Sequence, residues 1–346
     1  MNQHVTTPNH TDNSPRQHNL ELLRIVAMFM VLAIHYNLPV RGKPTIEALN
    51  NDATYTSITI FLQSILIVCV NCFILISGYF GIHWKRRSFL NLCFQVLFWI
   101  VVGYGITFIP PFGNKPSIQN YLMEVLSKWF VWCYFGLYLF APVLNAFVEE
   151  CSTRQLVVFV VLFYTFSTLF GYLTKSVADF NEGMSVISLA GLYLLGRTIF
   201  RVEKRLQLSA WQWLLAYLAC VTILFVLTKV AFGMGIQKMP QGYLNPIVII
   251  ESVALFMCFK KIRVKSSAIL FFSSSAYAVY LMHILPFDYY TKVLRWIVDC
   301  HMSWHLEALA IISFMVAVFV VAVLIDKIRM AIFGGLCRFS SAKRQR

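Results

Sequence analysis

The chain has 346 residues, of which 59% are hydrophobic, 16% aromatic and only 13% charged, with a mean hydropathy of +0.68. A soluble domain of this length does not need so much apolar material to fill its core, so composition excludes a water-soluble enzyme and indicates a polytopic membrane protein. The net charge of +14 does not indicate nucleic acid: the basic residues are dispersed over short loops rather than gathered on one soluble face, which suits membrane lipids or a polyanionic small ligand.

The polar start, Met1–Asn19, lacks a basic segment followed by a short apolar core and a small-residue cleavage site, so it is expected to stay as a cytoplasmic segment rather than be removed. Apolar runs then predict ten helices near residues 21–39, 57–82, 89–109, 122–148, 155–174, 183–200, 208–230, 244–259, 268–287 and 305–326. The expected fold is all-α, a transmembrane helical bundle over 20–327 with a basic cytoplasmic tail over 328–346. Loop charge orients it. Lys85, Arg86 and Arg87, then Arg201, Lys204 and Arg205, then Lys260, Lys261, Arg263 and Lys265 fall on one side together with the tail, placing both termini in the cytoplasm. Outer loops such as 41–56 and 288–304 are modest, so function is expected within the bundle.

The first span carries Arg24 and His35, two ionisable groups where lipid-facing helix should have neither. Their separation amounts to three turns plus about 20°, so they share one stripe roughly 16 Å apart along the axis. His35, near the outer end, has the chemistry of a general base for a sugar hydroxyl, or else is a helix-end histidine bonded to a neighbour. Arg24, nearer the cytoplasm, suits a phosphate or carboxylate, or else pairs with Glu21 one turn back.

The second span ends in Ser77-Gly-Tyr79, where Ser77 and Gly78 permit close helix approach and Tyr79 offers a hydrogen bond. Lys85, Arg86 and Arg87 just beyond form a basic edge suited to nucleotide phosphates, which topology alone would also explain. Trp129, Trp132 and Tyr134 crowd the fourth span as either an interfacial aromatic belt or a sugar-stacking platform. Glu251 is a lone acid at membrane depth, expected to pair with a buried cation or to line a cavity. Tyr277, Tyr280 and His283 recur at three-residue steps in the ninth span, with His283 a second catalytic candidate or a structural hydrogen-bond partner. Cys69-Val-Asn-Cys72 lies mid-helix without a second pair, so helix packing rather than a metal or redox site is expected, and no metal is assigned. Gly103-Tyr-Gly105 and Gly233-Met-Gly235 are too short for dinucleotide loops.

Three segments in order resemble the acyltransferase-3 family of integral membrane acyltransferases, especially bacterial polysaccharide O-acetyltransferases. They are Asn19-Leu-Glu-Leu-Leu-Arg24 through His35, Phe73-Ile-Leu-Ile-Ser-Gly-Tyr-Phe80, and Ser275-Ala-Tyr-Ala-Val-Tyr-Leu-Met-His283. The resemblance implies an inner-membrane enzyme that takes an acetyl group from cytoplasmic acetyl-CoA, with no permanently bound cofactor, to a carbohydrate acceptor, free or lipid-linked, whose modification is displayed outside. It also implies that the positions matching Arg24 and His35 are needed for activity. The family's basic arginine pair after the second helix is replaced by Lys85, Arg86 and Arg87 in altered spacing. Some relatives carry a fused outer domain, and its absence from this sequence leaves acceptor recognition to the bundle. Ser77, Tyr79 or a backbone amide is the expected oxyanion stabiliser. The competing expectation, a transporter or flippase of a lipid-linked glycan, would call for Gly/Pro-interrupted spans in corresponding halves, and the sequence shows none.

Overall fold

The computed structural model describes residues 17–173, 180–237 and 239–343. The polar N-terminal segment, apart from its last three residues, and the end of the basic tail at 344–346 lie outside the described residues. In chain order the helices are α1 (His18–Asn37), α2 (Ile46–Asn51), α3 (Ala53–Leu66), α4 (Cys69–Phe80), α5 (Arg86–Ile106), α6 (Ile118–Leu126), α7 (Trp129–Glu150), α8 (Thr153–Ser167), α9 (Val186–Val202), α10 (Ala210–Gly233), α11 (Pro246–Lys261), α12 (Ser267–Ser273), α13 (Ala276–Ile284), α14 (Phe287–Asp299) and α15 (Trp304–Lys343). No strand occurs among the described residues. The fold is an all-α polytopic bundle.

Eight of the ten expected spans are long and apolar enough to cross a bilayer: α1, α3 with α4, α5, α7, α8 continued to Phe170, α10, α12 with α13, and α15. The other two fold as α9 and α11, helical where expected but only 17 and 16 residues long. On helix rise they reach about 25 Å, short of a hydrocarbon core of about 30 Å.

Two spans are interrupted without any Gly or Pro to announce it. Between α3 and α4 the break falls at Ile67 and Val68, and between α12 and α13 at Ser274 and Ser275. At the second break, serine hydroxyls satisfy carbonyls freed in the last turn: Ser274 Oγ donates to Phe271 O at 2.9 Å, and Lys327 Nζ in turn donates to Ser274 Oγ at 2.7 Å. The expected fourth span, 122–148, is not one helix. α6 ends at Leu126, Lys128 adopts φ −76°, ψ 84°, and α7 starts afresh at Trp129. Continuous apolarity hid this turn, because α6 is a surface helix that buries Tyr121 and Val125 while exposing Leu122, Met123 and Leu126.

The region read as a loop at 288–304 contains α14, whose Tyr290, Thr291, Leu294 and Ile297 form one buried face. Tyr290 Oη donates to Leu32 O at 2.9 Å and Arg295 Nη2 to Pro39 O at 2.9 Å, fastening α14 across the outer end of α1. At the other end of the chain, α15 runs without interruption through the region expected as a basic tail. Arg329, counted there, is 2% exposed and pairs with Asp326 at 2.5 Å and Asn91 at 2.8 Å, joining α15 to α5.

Close approach of α4 and α9 sets the rest of the geometry. A Cβ on Gly78 would collide with the Tyr193 backbone carbonyl, and one on Gly196 would lie 2.6 Å from Leu75 O. Glycine is required at both positions because backbone meets backbone.

Candidate active site

One cavity of about 590 Å³ penetrates the bundle, and both Arg24 and His35 line it. The helical stripe that puts the two on one side of α1 continues through Met28, Val31 and Ile34, which line the wall between them. Opposite walls come from α4 (Cys69, Val70, Phe73, Ser77), α5 (Leu92, Gln95), α7 with its preceding turn (Ser127, Lys128, Trp129, Phe130, Tyr134), and α12–α13 (Ser273, Ser274, Tyr277, Tyr280, Ile284). Phe287, the first residue of α14, closes the end beside His35, its ring edge-on at 5.4 Å.

At the inner end Arg24 Nη1 donates to both Glu21 oxygens, at 3.0 and 2.8 Å, while Glu21 is 4% exposed. Nε and Nη2 of Arg24 have no hydrogen-bond partner among the described residues, and its side chain keeps 27% exposure. The carboxylate thus anchors one edge of the guanidinium and leaves the other for a planar anionic group.

At the outer end His35 Nδ1 lies 3.0 Å from His283 Nε2, and His283 Nδ1 lies 2.8 Å from Val279 O. A backbone carbonyl only accepts, so His283 carries its proton on Nδ1; the neutral ring then accepts on Nε2, so His35 carries its proton on Nδ1. Beyond His283 and the backbone of Val31, to which the His35 ring also hydrogen-bonds, what remains is the lone pair of His35 Nε2. The His283 contact thus selects the tautomer that can take a proton from a cavity-bound group. His283 itself is 1% exposed and stands behind His35, off the cavity wall.

Of the other expected residues, Ser77 and Trp129 line the cavity. Ser77 belongs to the inner end with Arg24, and its hydroxyl donates to Phe73 O at 3.0 Å. Tyr79 does not line the cavity: it is 1% exposed, donates to Glu203 at 2.7 Å and lies under Lys260 Nζ, 4.7 Å from its ring centroid. Two positions on a helix amount to about 200° of rotation, which turns Tyr79 to the side away from the cavity that Ser77 faces. Trp132 also points elsewhere, donating to Val125 O at 3.3 Å and stacking on Phe135. Tyr134, of the same aromatic group, does line the cavity.

Glu251 neither pairs with a cation nor lines the cavity: it is 0% exposed and neither of its oxygens has a hydrogen-bond partner. Its electrostatic neighbours are Cys72, Tyr217 and Cys220, which places it on the α11 face turned to α4 and α10, off the cavity lining. Lys85, Arg86 and Arg87 are exposed at the start of α5, the helix whose Leu92 and Gln95 reach the cavity further along. Cys69 and Cys72 are buried in α4. No cluster of His, Cys, Asp or Glu among the described residues is arranged to hold a metal ion.

The sequence gives no signal for Lys128, Gln95 or Tyr243 as cavity residues. Lys128 lies in a turn hidden inside an apolar run, and Tyr243 in a connection between spans. Gln95 is positioned from behind, its Nε2 donating to Asp326 of the buried α15 ion pair at 3.4 Å.

His35 and Arg24 thus stand at opposite ends of one cavity in a polytopic helical bundle. An acyltransferase domain model, that of the acyltransferase-3 family, matches residues 17–327. The chain belongs to this family. No curated protein and no solved structure matches it.

Proposed function

We propose that the protein transfers an acetyl group from cytoplasmic acetyl-CoA to a hydroxyl of a surface polysaccharide, an O-antigen or exopolysaccharide or its lipid-linked precursor, in the bacterial inner membrane. The observation that carries this reading is that one and the same cavity has the free edge of Arg24 at its inner end and His35 at its outer end. A pantetheine arm is of the same order as the roughly 16 Å between the two positions along α1. Arg24 then receives a phosphate of the donor while the thioester reaches His35, and the exposed Lys85, Arg86 and Arg87 at the α5 N-terminus attract the remaining phosphates from solution. Trp129 offers an aromatic face to the sugar.

In the reaction, the acceptor O–H gives its proton to His35 Nε2 as its oxygen attacks the thioester carbonyl. The new C–O bond forms, the carbonyl π pair moves onto oxygen, and collapse of that oxyanion breaks the C–S bond. The departing thiolate takes the proton from His35 Nε2. No side chain nucleophile is required.

Two interrupted spans, α3–α4 and α12–α13, are features a glycan carrier would share. Here both breaks border the cavity, and membership of an acyltransferase family favours transfer. The test compares ester-linked acetate on surface polysaccharide from cells with the intact gene, without it, and with His35→Ala. Loss of acetate with polymer export intact in both altered strains is expected. Unchanged acetylation without the gene overturns the reading, and loss of polymer export instead restores the carrier.

A further inference from the structure

Ser77 at the inner end and Tyr79 outside the cavity leave the oxyanion formed beside His35 without the side-chain donor expected from sequence. Apart from His35, the cavity lining holds two cationic residues: Arg24 at the inner end and Lys128. Lys128 stands at the outer end. Its Nζ is 5.2 Å from the centroid of Phe287, the ring packed edge-on against His35 at 5.4 Å. Both histidines of the pair feel its charge.

We propose that the Lys128 ammonium is a catalytic residue that stabilises the tetrahedral oxyanion of acyl transfer; this rests on the donor and base assigned above. Three features fit the role. The ammonium is held in place, because Nζ donates to Glu124 at 2.8 Å and the side chain is only 12% exposed. One N–H is thereby directed to Glu124 and the other two remain for the cavity. Lys128 is also the residue before α7, so the positive end of a 22-residue helix opens toward the same place.

The proton and electron balance is that of the transfer itself. Negative charge appears on the former carbonyl oxygen when the acceptor oxygen adds, and it is neutralised when C–S cleavage returns the pair to the C=O bond. Lys128 donates hydrogen bonds throughout and transfers no proton. A fixed cation facing charge that exists only in the transition state raises kcat rather than donor affinity.

The experiment measures CoA thiol release from acetyl-CoA and from chloroacetyl-CoA in membrane vesicles that contain the native glycan, using wild type, Lys128→Met, Lys128→Gln and Lys128→Arg, normalised to folded protein. Expected are a drop in kcat of about 10²–10³-fold for the Met and Gln variants, a donor KM within about threefold of wild type, and Arg within about tenfold of wild type. Chloroacetyl-CoA, whose electron-poor carbonyl carries its own oxyanion more easily, should shrink the Met penalty at least fivefold. Equal penalties with both donors would mean that Lys128 binds the acceptor or supports the fold, and would overturn the proposal; so would unchanged kcat. A wild type that releases no thiol from either donor brings down the acyl-CoA reading itself, and this proposal with it.

Discussion

Replacing His283 by Leu separates a positioning histidine from one that merely fills space. The substitution removes the His283 acceptor at 3.0 Å from His35 Nδ1–H, inside a wall where His283 is 1% exposed, and leaves the ring only its backbone contact with Val31. Leaving a buried donor unsatisfied costs about 1–3 kcal/mol. His35 avoids part of that cost by turning its ring or moving its proton to Nε2, and either escape removes the lone pair from the cavity. Translated into rate, 1–3 kcal/mol is about 5- to 150-fold in kcat. His283→Gln is the informative partner, because its amide oxygen can accept from His35 while its amide nitrogen donates to Val279 O; it should stay within about fivefold of wild type. Acetyl transfer from labelled acetyl-CoA to glycan, per unit of protein eluting as a single detergent-solubilised species, measures this. Adding His283→Leu to His35→Ala should cost nothing further, since one acts through the other. Equal loss in the Leu and Gln variants, or full activity in Leu, would refute the tautomer argument.

Three other outcomes follow from the geometry. Met28→Trp, on the α1 wall between Arg24 and His35, should block acetyl transfer at least tenfold while leaving acetyl-CoA binding to detergent-solubilised protein within threefold; equal loss of both would place the donor elsewhere. Arg24→Lys removes the planar guanidinium and should raise the donor KM about tenfold with a smaller effect on kcat, whereas an unchanged KM contradicts a donor-binding role. Gly78→Ala puts a methyl group into the Tyr193 backbone and should destabilise the bundle by about 1–3 kcal/mol, visible as a lower melting temperature in detergent, and a melting temperature equal to wild type would mean that α4 and α9 do not meet there.

Much of this architecture is legible in the sequence because lipid imposes a strong rule: every span must be apolar, so each of the ten runs is helical, although three of them hold two helices apiece. Arg24 and His35 are conspicuous for the same reason, and 3.6-residue periodicity alone puts them on one side of α1. What the sequence hides are features that depend on pairing between distant helices. The contact between His35 and His283 joins α1 to α13, and spacing within the ninth span cannot reveal which helix it faces. Lys128 is hidden differently, since α6 and α7 are both apolar and the turn between them leaves no compositional mark. Glu251 shows the opposite failure. Its rarity at membrane depth suggested a cavity or an ion pair, yet helix rotation turns it into the packed interface of α4, α10 and α11. The interrupted spans escaped notice because serine back-bonding, not Gly or Pro, ends α12.

The claim on which the mechanism depends is that donor and acceptor meet through one cavity from opposite faces of the membrane. The direct measurement supplies labelled acetyl-CoA to one face only of sealed vesicles of known orientation, with the glycan present on both faces. Ester-linked label should appear on outward-face glycan when the donor is on the cytoplasmic face and should vanish with His35→Ala. Label on glycan of the same face as the donor, or equal labelling from either side, would contradict the account.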